Sequence, residues 1–83
     1  MRFKAKIEVM LKAGHSDPEG ETTARALREL NYPVKAVNVN KIYIVSAEAN
    51  SATKAEKMID EMCRRLLANP TKDDYTFELR EAE

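Results

Sequence analysis

The sequence predicts an α+β chain folded as a two-layer βαββαβ sandwich, a four-stranded antiparallel sheet with two helices on one face. Three observations predict it. Apolar and polar residues alternate with period two at both ends of the chain and near its middle; two intervening stretches carry apolar residues at helical spacing; and Gly, Pro and Asn cluster at the joins. With 83 residues and neither repeats nor low-complexity tracts, residues 1–83 form a single domain.

Residues 2–12 place Phe3, Ala5, Ile7, Val9 and Leu11 on one side and Arg2, Lys4, Lys6, Glu8 and Lys12 on the other, the pattern of a strand with one buried face. Asp17-Pro18-Glu19-Gly20 then supplies a capping carboxylate, a first-turn proline and a residue that permits a tight bend. A helix follows over residues 19–31, with Thr23, Ala26, Leu27 and Leu30 on one stripe. Asn31-Tyr32-Pro33 ends it. Residues 34–39 read as a second strand, and Asn38-Val39-Asn40-Lys41 as a tight turn into a third over residues 41–48.

That third strand is apolar on both sides. Whichever face meets the helices, either Ile42 and Ile44 or Tyr43, Val45 and Ala47 are left on the other, so it is expected to lie in a subunit interface. Thr53 and Glu56 offer a capping box for a second helix reaching about Ala68, with Ala55, Ile59, Met62 and Leu66 in its stripe. Asp60 and Arg64 stand i,i+4. Asn69, suited to a left-handed cap, and Pro70 stop the helix. Tyr75, Phe77 and Leu79 alternate through the last strand.

Fourteen Lys and Arg balance fourteen Asp and Glu. A nucleic-acid partner is not expected without a basic surplus. No apolar run approaches the ~20 residues of a membrane span, and the charged start lacks the apolar core of a secretory signal. With one cysteine and no disulfide framework, the expected location is cytoplasmic. At 83 residues the chain sits just above the size range in which a single core rarely supplies more than about 3–5 kcal/mol, and without a disulfide or metal cluster, self-association is the expected device. The neutrality is itself a cancellation, because the first sixteen residues sum to +3 and the last fourteen to −3.

The residues give no sign of independent catalysis. Cys63 lies mid-helix and His15 in the first loop, with no third group to orient them as nucleophile and base. Gly14 and Gly20 are too few for a phosphate-binding loop, and the adjacent Asp73 and Asp74 point to opposite faces of a strand. No metal or cofactor site is expected. Tyr43 alone does not form the aromatic platform of an RNA-binding sheet.

Two segments nevertheless carry a resemblance. Leu11-Lys12-Ala13-Gly14, Asp17-Pro18-Glu19-Gly20 and Arg25-Ala26-Leu27 together resemble the opening of the PurS family, the small subunits of phosphoribosylformylglycinamidine synthase. Met62-Cys63-Arg64-Arg65-Leu66-Leu67-Ala68-Asn69-Pro70 followed by Asp74-Tyr75 resembles its closing segment. The resemblance implies a non-catalytic subunit of an ATP-dependent amidotransferase in purine biosynthesis. In that system the glutaminase PurQ releases ammonia, and PurL uses it with ATP and Mg to convert formylglycinamide ribonucleotide to its amidine. The PurS-like subunit bridges these partners, helps deliver ammonia and needs no cofactor of its own. The resemblance also implies pairing through sheets into a homodimer or homotetramer. Ile42, Tyr43, Ile44 and Val45 are the candidates for self-association; Asp17, Pro18, Glu19, Gly20, Asn69, Pro70 and Tyr75 are the candidates for partner docking. The alternative is an ACT-like dimeric domain sensing a small molecule at the loop between Gly14 and Gly20.

Overall fold

The computed structural model describes residues 1–82. Strand β1 (Arg2–Leu11) leads to helix α1 (Pro18–Glu29), strand β2 (Lys41–Glu48), helix α2 (Ala52–Met62) with a π-helical turn (Cys63–Leu67), and strand β3 (Asp73–Ala82). The sheet runs β2-β1-β3 with both pairings antiparallel. Strand β1 is central, and the alternation seen in its sequence is expressed directly: Phe3, Ala5, Ile7 and Val9 are buried. Beside them, in register, Val45 and Leu79 flank Ala5 while Tyr43 and Phe77 flank Ile7. Helix α2 and its π turn lay Ile59 and Cys63 on this face and close the core, and Ala55 of α2 is buried as well.

The sheet has three strands where four were expected. Residues 34–39 join no ladder, because other groups take their backbone. Val39 N–H donates to Asp17 Oδ2 at 2.9 Å, and Arg28 donates from Nε and Nη2 to the carbonyls of Val34 and Lys35 at 2.8 and 2.9 Å. The tight turn expected at residues 38–41 is absent too. A two-residue hairpin turn of type I′ needs positive φ at both central positions, and only Asn31 and Gly14 adopt positive φ among the described residues.

Helix α1 also departs from expectation. Asp17 caps it, accepting from Gly20 N at 2.9 Å, and Pro18 opens it. The residues it buries, however, are Gly20 and Ala24, not the stripe of Thr23, Ala26, Leu27 and Leu30. Gly20 faces Val37, and α1 contributes nothing to the core under α2. One helix therefore covers the sheet, and α1 with residues 34–40 forms an arm beyond it. The shape records this: the extents are 52 × 28 × 13 Å and the radius of gyration is 16.5 Å, against about 12 Å for a compact chain of this length.

Three local expectations are corrected by neighbouring residues. Ser51, not Thr53, caps α2 by accepting from Lys54 N at 3.2 Å. The left-handed residue after a helix is Asn31, with φ 70°, and not Asn69. The π turn, closed by Ala68 N donating to the Cys63 carbonyl at 2.9 Å, widens the helix and rotates Leu66 out of the expected stripe. Leu66 is 83% exposed while Ala68 is buried. The charges of the chain ends do meet across β1 and β3: Lys6 pairs with Glu78, although Lys4 faces Arg80, and Lys12 approaches Asp74 at 3.8 Å.

Candidate interaction site

The face of the sheet turned away from α2 carries Ile42 and Ile44 on β2, Lys4, Lys6 and Glu8 on β1, and Glu78 and Arg80 on β3. Ile44 is 58% exposed and sits across from Lys6, in a shallow recess of about 280 Å³ shared with Lys4, Glu78 and Arg80. The four residues expected to mediate self-association thus divide by strand parity. Ile42 and Ile44 are on the open face; Tyr43 and Val45 point to the other side and pack, half-buried, against the core.

The docking candidates divide as well. Asp17, Pro18 and Glu19 line a cleft of about 380 Å³ together with Val39, Lys41, Lys72 and Asp73, at the end of the sheet where β1 passes into the arm. The first loop and the connection after Pro70 are thereby brought together. Asn69 and Pro70 are exposed; Asn69 accepts from Thr71 N through Oδ1 at 2.9 Å and donates its N–H to Asp73 Oδ2 at 2.9 Å, which shapes the connection. Gly20 is buried at the joint between α1 and residues 34–39. Tyr75 lies elsewhere, on the core face of β3.

There Tyr75 anchors a small polar network that the sequence showed only in part. Its hydroxyl donates to Asp60 Oδ1 at 2.5 Å, and Arg64 Nε donates to Asp60 Oδ2 at 2.8 Å. The i,i+4 spacing revealed the Arg64 contact, while the Tyr75 contact depends on how β3 docks. The Tyr75 hydroxyl, then Arg64, hold the Asp60 carboxyl below the usual carboxylate range, and Asp60 in turn raises the Tyr75 phenol. Burial, reinforced by Asp60, pushes the Cys63 thiol up, so it stays protonated and packs as an apolar group.

The network has an acid signature. A carboxylate with a lowered folded-state pKa adds stability above its unfolded value, near pH ~4, and that contribution is lost as pH falls through the folded value. The raised Tyr75 pKa acts in the opposite window: its contribution is present below the ordinary phenol value of about 10 and lost as pH rises through the folded value. Tyr75→Phe is expected to lower the thermal midpoint at about pH 6, with the difference from the parent shrinking toward about pH 2 as Asp60 protonates in both. Melting curves across that range check this; an undiminished difference at the acid end assigns Tyr75 a packing role alone.

Half-covered strands, exposed isoleucines on an open sheet and a projecting arm define the class: a small α+β interaction subunit that presents surfaces. The family model described as "PurS: Phosphoribosylformylglycinamidine (FGAM) synthase" matches residues 4–81. The chain belongs to the PurS family. It is 45% identical over 78 residues to the phosphoribosylformylglycinamidine synthase subunit PurS of Archaeoglobus fulgidus, covering 93% of this chain and 98% of that one. The crystal structure of Methanocaldococcus jannaschii PurS matches with TM-score 0.82 at 35% identity, over 98% of this chain and 99% of that one. A chain from the structure of PurLQS from Thermotoga maritima matches with TM-score 0.81 at 36% identity, over 99% of each.

Proposed function

We propose that this chain is the PurS subunit of an FGAM synthase in purine biosynthesis, bridging a PurL synthetase and a PurQ glutaminase and assisting ammonia transfer between them. The observation that carries this is full-length likeness to PurS chains, one of them solved within PurLQS. Catalysis then belongs to the partners: ATP and Mg act on the synthetase, glutamine on the glutaminase, and this subunit contributes surfaces in the cytoplasm without a cofactor of its own. The cleft holding Asp17, Pro18, Glu19, Lys72 and Asp73 is the docking surface for a partner subunit, with Asn69 and Pro70 beside it. The open face with Ile42 and Ile44 serves self-association into a homodimer or homotetramer. The amino-acid-sensing alternative finds no support in these likenesses.

Reconstitution tests the proposal. With PurL and PurQ present, glutamine-dependent FGAM formation is expected to require this chain, while formation from added ammonia is not. A glutamine-dependent rate unchanged by leaving the chain out refutes the bridging role. Ile44→Asp puts a charge on the open face without touching the core, and is expected to weaken self-association by about tenfold or more in sedimentation. An unchanged oligomer removes the open face from assembly.

A further inference from the structure

The charged residues of the docking cleft are of two kinds. Glu19, Lys41 and Lys72 are exposed, and among the described residues no ion pair or side-chain hydrogen bond engages them. Asp17 and Asp73 are half-buried and bonded within the chain. Asp73 Oδ2 accepts from Asn69 N at 2.9 Å. Asp17 has both oxygens occupied, Oδ1 by Gly20 N and Oδ2 by Val39 N, each at 2.9 Å.

The second of those bonds joins the two sides of the cleft. Pro18 and Glu19, in the first turn of α1, form one side; Val39 and Lys41 form the other. Residues 34–40 join no ladder, so their distance from the start of α1 is set by side chains, and at this end by Asp17. Asp17 and Val39, with Met10 and Leu11, also line a neighbouring hollow of about 440 Å³ that reaches His15, Asn38 and Asn40. The Asp17 to Val39 bond is thus the partition between two hollows. The Gly20 N–H, then the Val39 N–H, hold the Asp17 carboxyl below the usual carboxylate range, as two donors fixed on a charged acceptor should.

We infer that Asp17 is a positioning residue for partner docking: its carboxylate ties the first turn of α1 to Val39 and so fixes the two sides of the cleft, while Glu19, Lys41 and Lys72 make the contact. This rests on the proposal that the cleft docks a partner subunit, and it moves Asp17 from contact to support. A cleft held in its bound shape avoids the ordering cost that a loose one meets on association.

The test titrates the chain into fixed PurL and PurQ and follows glutamine-dependent FGAM formation at about 0.05 and about 0.5 M salt, conditions that leave exposed ion pairs intact and largely screen them. The variants are Asp17→Ser, Glu19→Gln and Lys72→Gln. Serine keeps a capping oxygen for Gly20 N but has no second oxygen to reach Val39 N. Asp17→Ser is expected to raise the chain concentration for half-maximal rate about tenfold at both salts, to retain the maximal rate, and to speed exchange of the Val39 amide. Glu19→Gln and Lys72→Gln are expected to shift the curve at low salt and little at high salt. An Asp17→Ser shift that disappears at high salt makes Asp17 a partner contact and overturns the inference. No Asp17→Ser shift, with a shift in either other variant, overturns it while leaving the docking cleft standing. No shift in any of the three removes the cleft from docking and the inference with it.

Discussion

Ile59→Ala should cost about 2–5 kcal/mol of stability, because it opens a cavity in the core under α2. Ile59 is fully buried on α2 and packs in one cluster with Ile7 and Val9 of the central strand and with Cys63. A single helix covers this sheet, so no second layer can settle into the vacated space. Set against a typical total of about 5–15 kcal/mol, with small domains at the low end, the loss leaves much of the isolated chain unfolded. Urea unfolding followed by circular dichroism measures it. The informative partner is Leu66→Ala, which a simple helical stripe would rank as equally severe. The π turn has rotated Leu66 into solvent, so below the concentration at which copies associate the change should stay within about 0.5 kcal/mol. Similar costs at the two positions would mean that α2 continues as a regular helix and seats Leu66 in the core.

The contrast between these two leucine-like positions shows what the sequence could and could not carry. Period-two alternation identified β1 and β3, because the side-chain period of a strand is a local property that burial on one face imposes directly, and a continuous apolar run between turn signals identified β2. The capping role of Asp17 and the Asp60 to Arg64 contact were legible for the same reason, being made within one helical turn. What failed was non-local or degenerate. Residues 34–39 are extended as expected, but their sequence does not say whether the backbone will pair with a strand or be taken by Asp17 and Arg28. Ser51 and Thr53 both offer a capping oxygen two residues apart, and Asn31 and Asn69 are equally able to take a left-handed conformation. The interface signal was readable as an alternative, one of two apolar rows on the third expected strand. Docking of β2 against β1 turns Tyr43 and Val45 to the core and leaves Ile42 and Ile44 on the open face.

Gly20→Ala should loosen the arm, against the sign that helix propensity predicts. In a helix interior alanine is favoured over glycine by about 1 kcal/mol. Here a Cβ at position 20 would stand 2.1 Å from the Val37 carbonyl oxygen and 2.8 Å from Asp17 Oδ2. The first obstacle is backbone, so relief requires residues 34–39 to move off α1, and overpacking of this kind costs about 1–3 kcal/mol. Moving them strains the Val39 to Asp17 hydrogen bond and the two from Arg28 together, since all three tie the same segment to the same helix. The core under α2 contains no arm residue, so global unfolding should shift little while the arm opens locally. Amide exchange separates the two: Val39 should exchange about ten- to a hundredfold faster in the variant, with Ile7 and Ala5 unchanged. An unchanged Val39 amide in a variant that melts higher than its parent would show that propensity wins and that Gly20 is not held by close approach to Val37.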